Sequence, residues 1–164
     1  MLKKSLCALA LFAVVCCAAP ALDLKDVPNP LENAEVGQYV SYGMMQGMEQ
    51  KQTITKIDGK GDDRKITIKF EMLMGGNSLN SEEKVFDYKE YQDARFEEVT
   101  DDVSVTKGKT TVGDKEYDAI IIEFKTEDGQ SVKLYMSDAI PVTGMLKMDL
   151  GAMGTLLELA DFKK

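Results

Sequence analysis

The chain has 164 residues, with 20 basic and 28 acidic side chains for a formal charge of −8, no His, no Trp, three Cys and ten Met. The missing histidine excludes Ser-His-Asp and Cys-His catalysis, histidine-ligated zinc or haem, and an imidazole pH switch. The length suits one domain.

Residues 1–21 have the layout of an export signal. Lys3 and Lys4 give a positive start, Leu6 to Val15 an apolar stretch, and Cys16 to Ala21 a small-residue end. The apolar stretch is shorter than the roughly 20 residues that a membrane-spanning helix needs, so no transmembrane span is expected. Cleavage after Ala21 leaves Leu22 first and gives a secreted or periplasmic protein. The alternative is lipoprotein processing at Cys16 or Cys17, with Cys17 the candidate for lipidation. Cys7, Cys16 and Cys17 all lie in this segment, so a chain begun at Leu22 has no cysteine and is held by its core alone. Removing Lys3 and Lys4 leaves 18 basic against 28 acidic residues, a net charge of −10. A field of that sign repels nucleic acid and anionic lipid.

Residues 22–35 carry Pro28 and Pro30 and read as an extended lead-in or linker, with a turn around Leu31–Ala34. From Val36 the apolar period is two, and residues 36–164 form a single β domain. Gly37–Met44 and Gln50–Ile57 are the first two strands. A polar hairpin, Asp58 to Asp63, leads to the clearest strand, Arg64–Met74. There Ile66, Ile68, Phe70, Met72 and Met74 point one way and Lys65, Thr67, Lys69 and Glu71 the other. Ser81–Val99 fits strand, loop or one short helix. Val103–Val105 and Thr110–Val112 read as two short strands, and Gly113-Asp114 turns the chain into Tyr117–Lys125. The consecutive Ile120, Ile121 and Ile122 predict a strand covered on both faces. A tight hairpin, Glu127 to Gln130, leads to Ser131–Met136, and Val142–Asp149 and Thr155–Phe162 close the series. About nine strands with regular turns and little helix predict an all-β fold: one antiparallel sheet curled into a half-barrel or barrel, with a β-sandwich as the alternative.

No catalytic constellation is found. Gly108-Lys109-Thr110 lacks the upstream glycine and following helix of a phosphate loop. The Asp58–Asp63 loop has Lys60 where calcium needs an oxygen. The acidic pairs Glu82-Glu83, Glu97-Glu98 and Asp101-Asp102 are sequence neighbours, which in a strand point to opposite faces. Methionine is the compositional oddity, with nine in residues 22–164, grouped as Met44, Met45 and Met48, Met72 with Met74, and Met145 with Met148. Three readings compete: core filling, an adaptable wall for a flexible apolar ligand, and Cu(I) binding by thioethers.

The most distinctive segment is Ser137 to Met148, in which Pro141 breaks pairing and Gly144 permits a bend. With Val36 to Val40 ahead of it, it resembles a group of uncharacterised exported bacterial proteins. In these an S-x-x-(I/V)-P-x-x-G-x-x-K-M segment precedes a final strand like Thr155–Phe162. More weakly, the strand order over 36–162 is similar to envelope half-barrel carriers of lipoproteins or lipids, which cap their concave face with helices.

The function expected is that of an exported, non-enzymatic β domain binding a hydrophobic, lipid-like small molecule in a Met-rich apolar groove. Ile66, Ile68, Phe70, Met72, Met74, Met145 and Met148 would line it, with no cofactor and no metal. The alternative is an envelope structural or protein-interaction module with a closed core. A hydrolase on a β scaffold and a copper chaperone rank below both.

Overall fold

The computed structural model describes residues 22–94, 103–126 and 128–164. The leader, with its cysteines and cleavage site, lies outside them, as does the 95–99 end of the ambiguous stretch. Nine strands form one antiparallel sheet: β1 (Tyr39–Met44), β2 (Met48–Asp58), β3 (Lys65–Met74), β4 (Asn77–Asp87), β5 (Ser104–Val112), β6 (Lys115–Lys125), β7 (Ser131–Met136), β8 (Met145–Leu150) and β9 (Gly154–Lys163). Their order is β4-β3-β2-β1-β9-β8-β7-β6-β5. β4 and β5 are the two edges, so the sheet is not closed, and it is one sheet rather than a sandwich of two. One helix, α1 (Tyr88–Ala94), follows β4. Asp87 caps it, its Oδ1 accepting from the backbone N–H of Lys89 at 3.2 Å and Glu90 at 3.3 Å.

The strand count matches expectation, but two elements differ. Val103–Val105 and Thr110–Val112 are the ends of a single strand, β5. Its middle stays paired because Lys107, Gly108 and Lys109 lie opposite Ile120, Ala119 and Asp118. A Cβ at Gly108 would sit 2.7 Å from Ile121 Cδ1, so a larger residue there displaces the end of that side chain. The ninth strand is β4, which begins at Asn77 and runs into the ambiguous Ser81–Val99 stretch as far as Asp87. A two-residue turn, Gly75-Gly76, folds it onto β3 with φ of 57° and 80°, values that glycine adopts without strain. The strand expected from Val142 begins only at Met145.

Residues directly opposite one another in an antiparallel pair share a face. The pairs Phe86–Ile66, Ile66–Ile57, Ile68–Ile54, Val40–Phe162 and Tyr42–Leu159 therefore stand on one side of the sheet. Leu157–Met148, Met148–Leu134, Leu134–Ile122 and Ile122–Val105 continue that side to the other edge. The run at Ile120–Ile122 is apolar on both faces: Ile120 and Ile122 pack with Val27, whereas Ile121 packs with the larger cluster that holds Ala119, Tyr117 and Tyr135. The sheet is curled, because Gly113, in the β5–β6 turn, donates its N–H to Glu158 Oε1 on β9 at 3.3 Å.

An apolar face this wide needs a second layer. It comes from the lead-in, α1 and the loop between β7 and β8. Val27 and Leu31 are buried to 2% and 1% exposure. Val27 packs on Val105 and Ile122, and Leu31 belongs to the cluster of Val40, Tyr42, Ile54 and Ile66. Asn29 shapes the crossing: its Oδ1 accepts from the Leu31 N–H at 3.0 Å, and its Nδ2 donates to the Tyr88 hydroxyl at 3.3 Å. Arg64 completes the clamp, donating to the Glu32 carbonyl at 2.9 Å with its guanidinium 4.1 Å over the Tyr88 ring. Residues 22–35, with one turn of 3-10 helix at Leu24–Asp26 and a turn at 30–33, pack as a strap against the sheet.

Leu31→Ala is expected to lower stability by about 2–5 kcal/mol in urea denaturation. An unchanged midpoint would mean that the lead-in does not bear on the core.

Candidate functional site

Three open spaces meet where the strap passes the β7–β8 loop. One, of about 190 Å³, is lined by Val27, Pro28, Pro30, Tyr91, Leu134, Met136, Thr143, Met145 and Met148. A crevice of about 400 Å³ has a mixed lining, with Ile140 and Pro141 beside the polar groups of Asn29, Glu32, Asn33, Gln38, Ser137, Asp138 and Lys164. A shallower space of about 330 Å³ runs along Lys107, Gly108, Asp118, Ala119 and Ile120. Pro28 and Met136 border all three, and Pro30 borders the first two.

The β7–β8 loop is built by the distinctive segment. Ser137 donates its N–H to the Gly144 carbonyl at 2.7 Å, and Ile140 donates to the Ser137 carbonyl at 3.2 Å. Ser137 Oγ accepts from the Ala139 N–H at 3.4 Å. Inside this frame Thr143 donates to the Pro141 carbonyl at 2.7 Å, a three-residue turn centred on Val142 at φ 67°. A β-branched residue in the left-handed region is strained. The surroundings hold it there, because Ile140 and Val142 are both buried in the main core.

The loop is bolted to β1 by Tyr42, whose ring is fully buried. The single hydroxyl proton of Tyr42 goes to the Met145 carbonyl at 2.8 Å, so Thr143 donates in the second bond, between its Oγ1 and the Tyr42 oxygen. Thr143 Oγ1 in turn accepts from the Met145 N–H at 3.2 Å. Burial pushes the Tyr42 phenol well above its ordinary value, against a smaller lowering from the Thr143 hydrogen bond.

The expected groove residues separate into groups. Ile66 and Ile68 are buried in the core, and Phe70 packs partly buried against it, its ring 6.1 Å from that of Phe86. Met72 is half-buried between Gln50 and Asn80 of the flanking strands, and Met74 is exposed next to the Gly75-Gly76 turn. The 190 Å³ cavity brings Met145 and Met148 together, and none of the β3 residues lines it. It also takes in Met136, directly opposite Met145 across the β7–β8 pair. Met136 was not singled out from the sequence, where it stands apart from other methionines. Its place at the end of a strand leading into the Ser137–Met148 segment was the available signal.

No family model and no curated protein matches the chain. Its fold is similar to the solved structure of a Bacteroides fragilis protein described as a "putative exported protein with YmcC-like fold". The TM-score is 0.51 at 10% identity, covering 84% of this chain and 98% of that chain. The chain is thus an all-β protein with one open, curled antiparallel sheet, an architecture shared with a YmcC-like protein. Among the described residues no helix is long and apolar enough to cross a membrane.

Tyr42→Phe is expected to cost about 1–3 kcal/mol, since it deprives the buried Met145 carbonyl and Thr143 hydroxyl of their partner. A raised phenol value favours the neutral form in the fold. The stabilisation is therefore complete below the ordinary value of about 10 and is lost as pH rises beyond it. In an alkaline absorbance titration, Tyr42 ionises only as the protein unfolds, a step that Tyr42→Phe removes. Ionisation of all six tyrosines in a protein that is still folded would contradict this assignment.

Proposed function

We propose that the protein is an exported, non-enzymatic β domain that binds an amphiphilic, lipid-like small molecule beneath the strap. The observation that carries this reading is the shared wall of Pro28, Pro30 and Met136 between the 190 Å³ apolar cavity and the 400 Å³ crevice of mixed lining. The apolar cavity alone is smaller than the roughly 300–1,000 Å³ of a typical small-molecule site. It suits a short apolar segment, with the remainder of the ligand in the crevice. Met136, Met145 and Met148 supply an unbranched, polarisable lining that repacks around a flexible chain. Asn29, Asn33, Gln38 and Ser137 offer neutral donors and acceptors to the polar end, with Lys164 as the cation and Glu32 and Asp138 as carboxylates beside it. Export is supported by the layout of residues 1–21 and by the description of the Bacteroides fragilis protein of similar fold.

The second reading, an envelope interaction module with a closed core, is favoured by the complete burial of Ile66 and the near-complete burial of Ile68. Both readings leave β3 as core, and they differ over the Met-lined cavity.

Titration with a fluorescent fatty acid distinguishes them. The proposed function predicts saturable binding that Met148→Lys weakens by about tenfold or more, because a buried unpaired ammonium opposes an apolar guest. Native mass spectrometry of protein purified from its own envelope should show a bound amphiphile. A clean mass together with no probe response would favour the interaction module.

A further inference from the structure

The sheet places three hairpin turns side by side at one end: β1–β2, β3–β4 and β8–β9. Met48 lies opposite Met74, and Met44 lies opposite Leu157, so the three turns form one rim. Residues 43–48, 72–81 and 150–157 contain no Asp, Glu, Lys or Arg, in a chain where charged residues make up 29%. Met74 at 46%, Leu79 at 59% and Met153 at 56% exposure all belong to this rim, three of the five exposed large apolar side chains among the described residues.

Beneath the neutral tips runs a ring of acids. Glu49, Glu71, Glu82, Asp149 and Glu158 each immediately flank one of the charge-free runs. Glu71, Glu82 and Asp149 are paired with Lys69 at 2.7 Å, Lys84 at 3.0 Å and Lys147 at 3.4 Å. Glu49 accepts from the Ser41 hydroxyl, and Glu158 from the Gly113 N–H. The β6–β7 turn, next to the β8–β9 turn at the same end of the sheet, is different in kind, with Lys125 and Asp128 around it.

We propose that this rim docks the protein on a zwitterionic lipid surface, the apolar tips entering the interfacial layer and the acidic ring resting at the headgroups. The rim is a row of turns, with the free edge strand β4 at one end of it. A deformable lipid interface accepts it, and the turn backbones remain in the hydrated headgroup zone. The acidic ring complements the ammonium groups of zwitterionic headgroups, and the chain's net charge of −8 opposes anionic lipid. This is the reverse of the polybasic contacts that select anionic membranes. The surface is separate from the cavity beneath the strap, and its assignment does not depend on that cavity's ligand.

The chain has no tryptophan, so Met153→Trp introduces a single indole reporter at the rim, and Gln130→Trp places one at the charged turn as a control. With vesicles of phosphatidylcholine and phosphatidylethanolamine, Met153→Trp emission should shift to the blue and Gln130→Trp emission should not. Replacing about a third of the lipid with phosphatidylglycerol should weaken partitioning by about tenfold. The double substitution Met74→Lys with Leu79→Lys should do the same on neutral vesicles. Both positions are exposed, and circular dichroism checks that the fold is intact. Fatty-acid probe binding should survive those two substitutions, so this inference and the proposed function fail separately. The inference is overturned by no shift at Met153→Trp, an equal shift at Gln130→Trp, or tighter binding to anionic vesicles. A blue shift that grows with protein concentration without vesicles would assign the rim to self-association and also overturn it.

Discussion

Burial of Val27 and Leu31 against the sheet is the contact on which the other features depend. Nine strands in one open sheet present an apolar face from Phe86 on β4 to Val105 on β5. Among the described residues no second sheet covers it, and α1 is only seven residues long. The strap, α1 and the β7–β8 loop share the work, each contributing a few large side chains: Val27 and Leu31, Tyr88 and Tyr91, Ile140 and Val142. A cover assembled from three separate pieces leaves seams, whereas a continuous helix layer would interdigitate along its length. The cavity and the crevice are those seams. Their common border falls at Pro28 and Pro30 of the strap and Met136 at the end of β7.

The same constraint accounts for the strain at Val142. For its buried side chain to complete the cover, the loop turns within three residues, and its backbone takes the left-handed region. Tyr42 and Thr143 hold that conformation by closing a ring of hydrogen bonds with both backbone groups of Met145. One wall of the apolar cavity is therefore fixed by the main chain of β8, while Met136, Met145 and Met148 supply adaptable side chains in front of it. Rigid frame and soft lining together suit a ligand with a flexible apolar part. The neutral rim formed by the three turns adds a lipid-facing surface without drawing on any cavity residue.

Much of the architecture was legible in the sequence because strict alternation leaves little choice. Ile66, Ile68 and Phe70 against Lys65, Thr67 and Lys69 define β3 and its core face. The β4 strand was illegible because Asn77–Val85 is exposed throughout and has no apolar stripe. Only the Gly75-Gly76 pair announced it. The two halves of β5 looked separate since Lys107 and Lys109 flank a glycine that lies within the strand, paired with Ala119, and not at a turn. The strap resembled a linker because its two buried residues, Val27 and Leu31, stand alone among prolines and polar groups. What buries them is contact distant in sequence, which no local pattern records. Site residues divide for the same reason. Met145 and Met148 stood out as a pair, whereas Met136 joins them only through the register of β7 on β8.

The account stands or falls on the strap as part of the folded core. Urea unfolding of a chain beginning at Leu22 should be compared with that of one beginning at Val36, each followed by circular dichroism and by binding of an apolar dye. Cooperative unfolding of the longer chain is expected, with a shorter chain that unfolds at markedly lower urea and binds the dye through its uncovered face. Equal midpoints and no dye binding by the shorter chain would show that the sheet needs no strap, and would contradict the account.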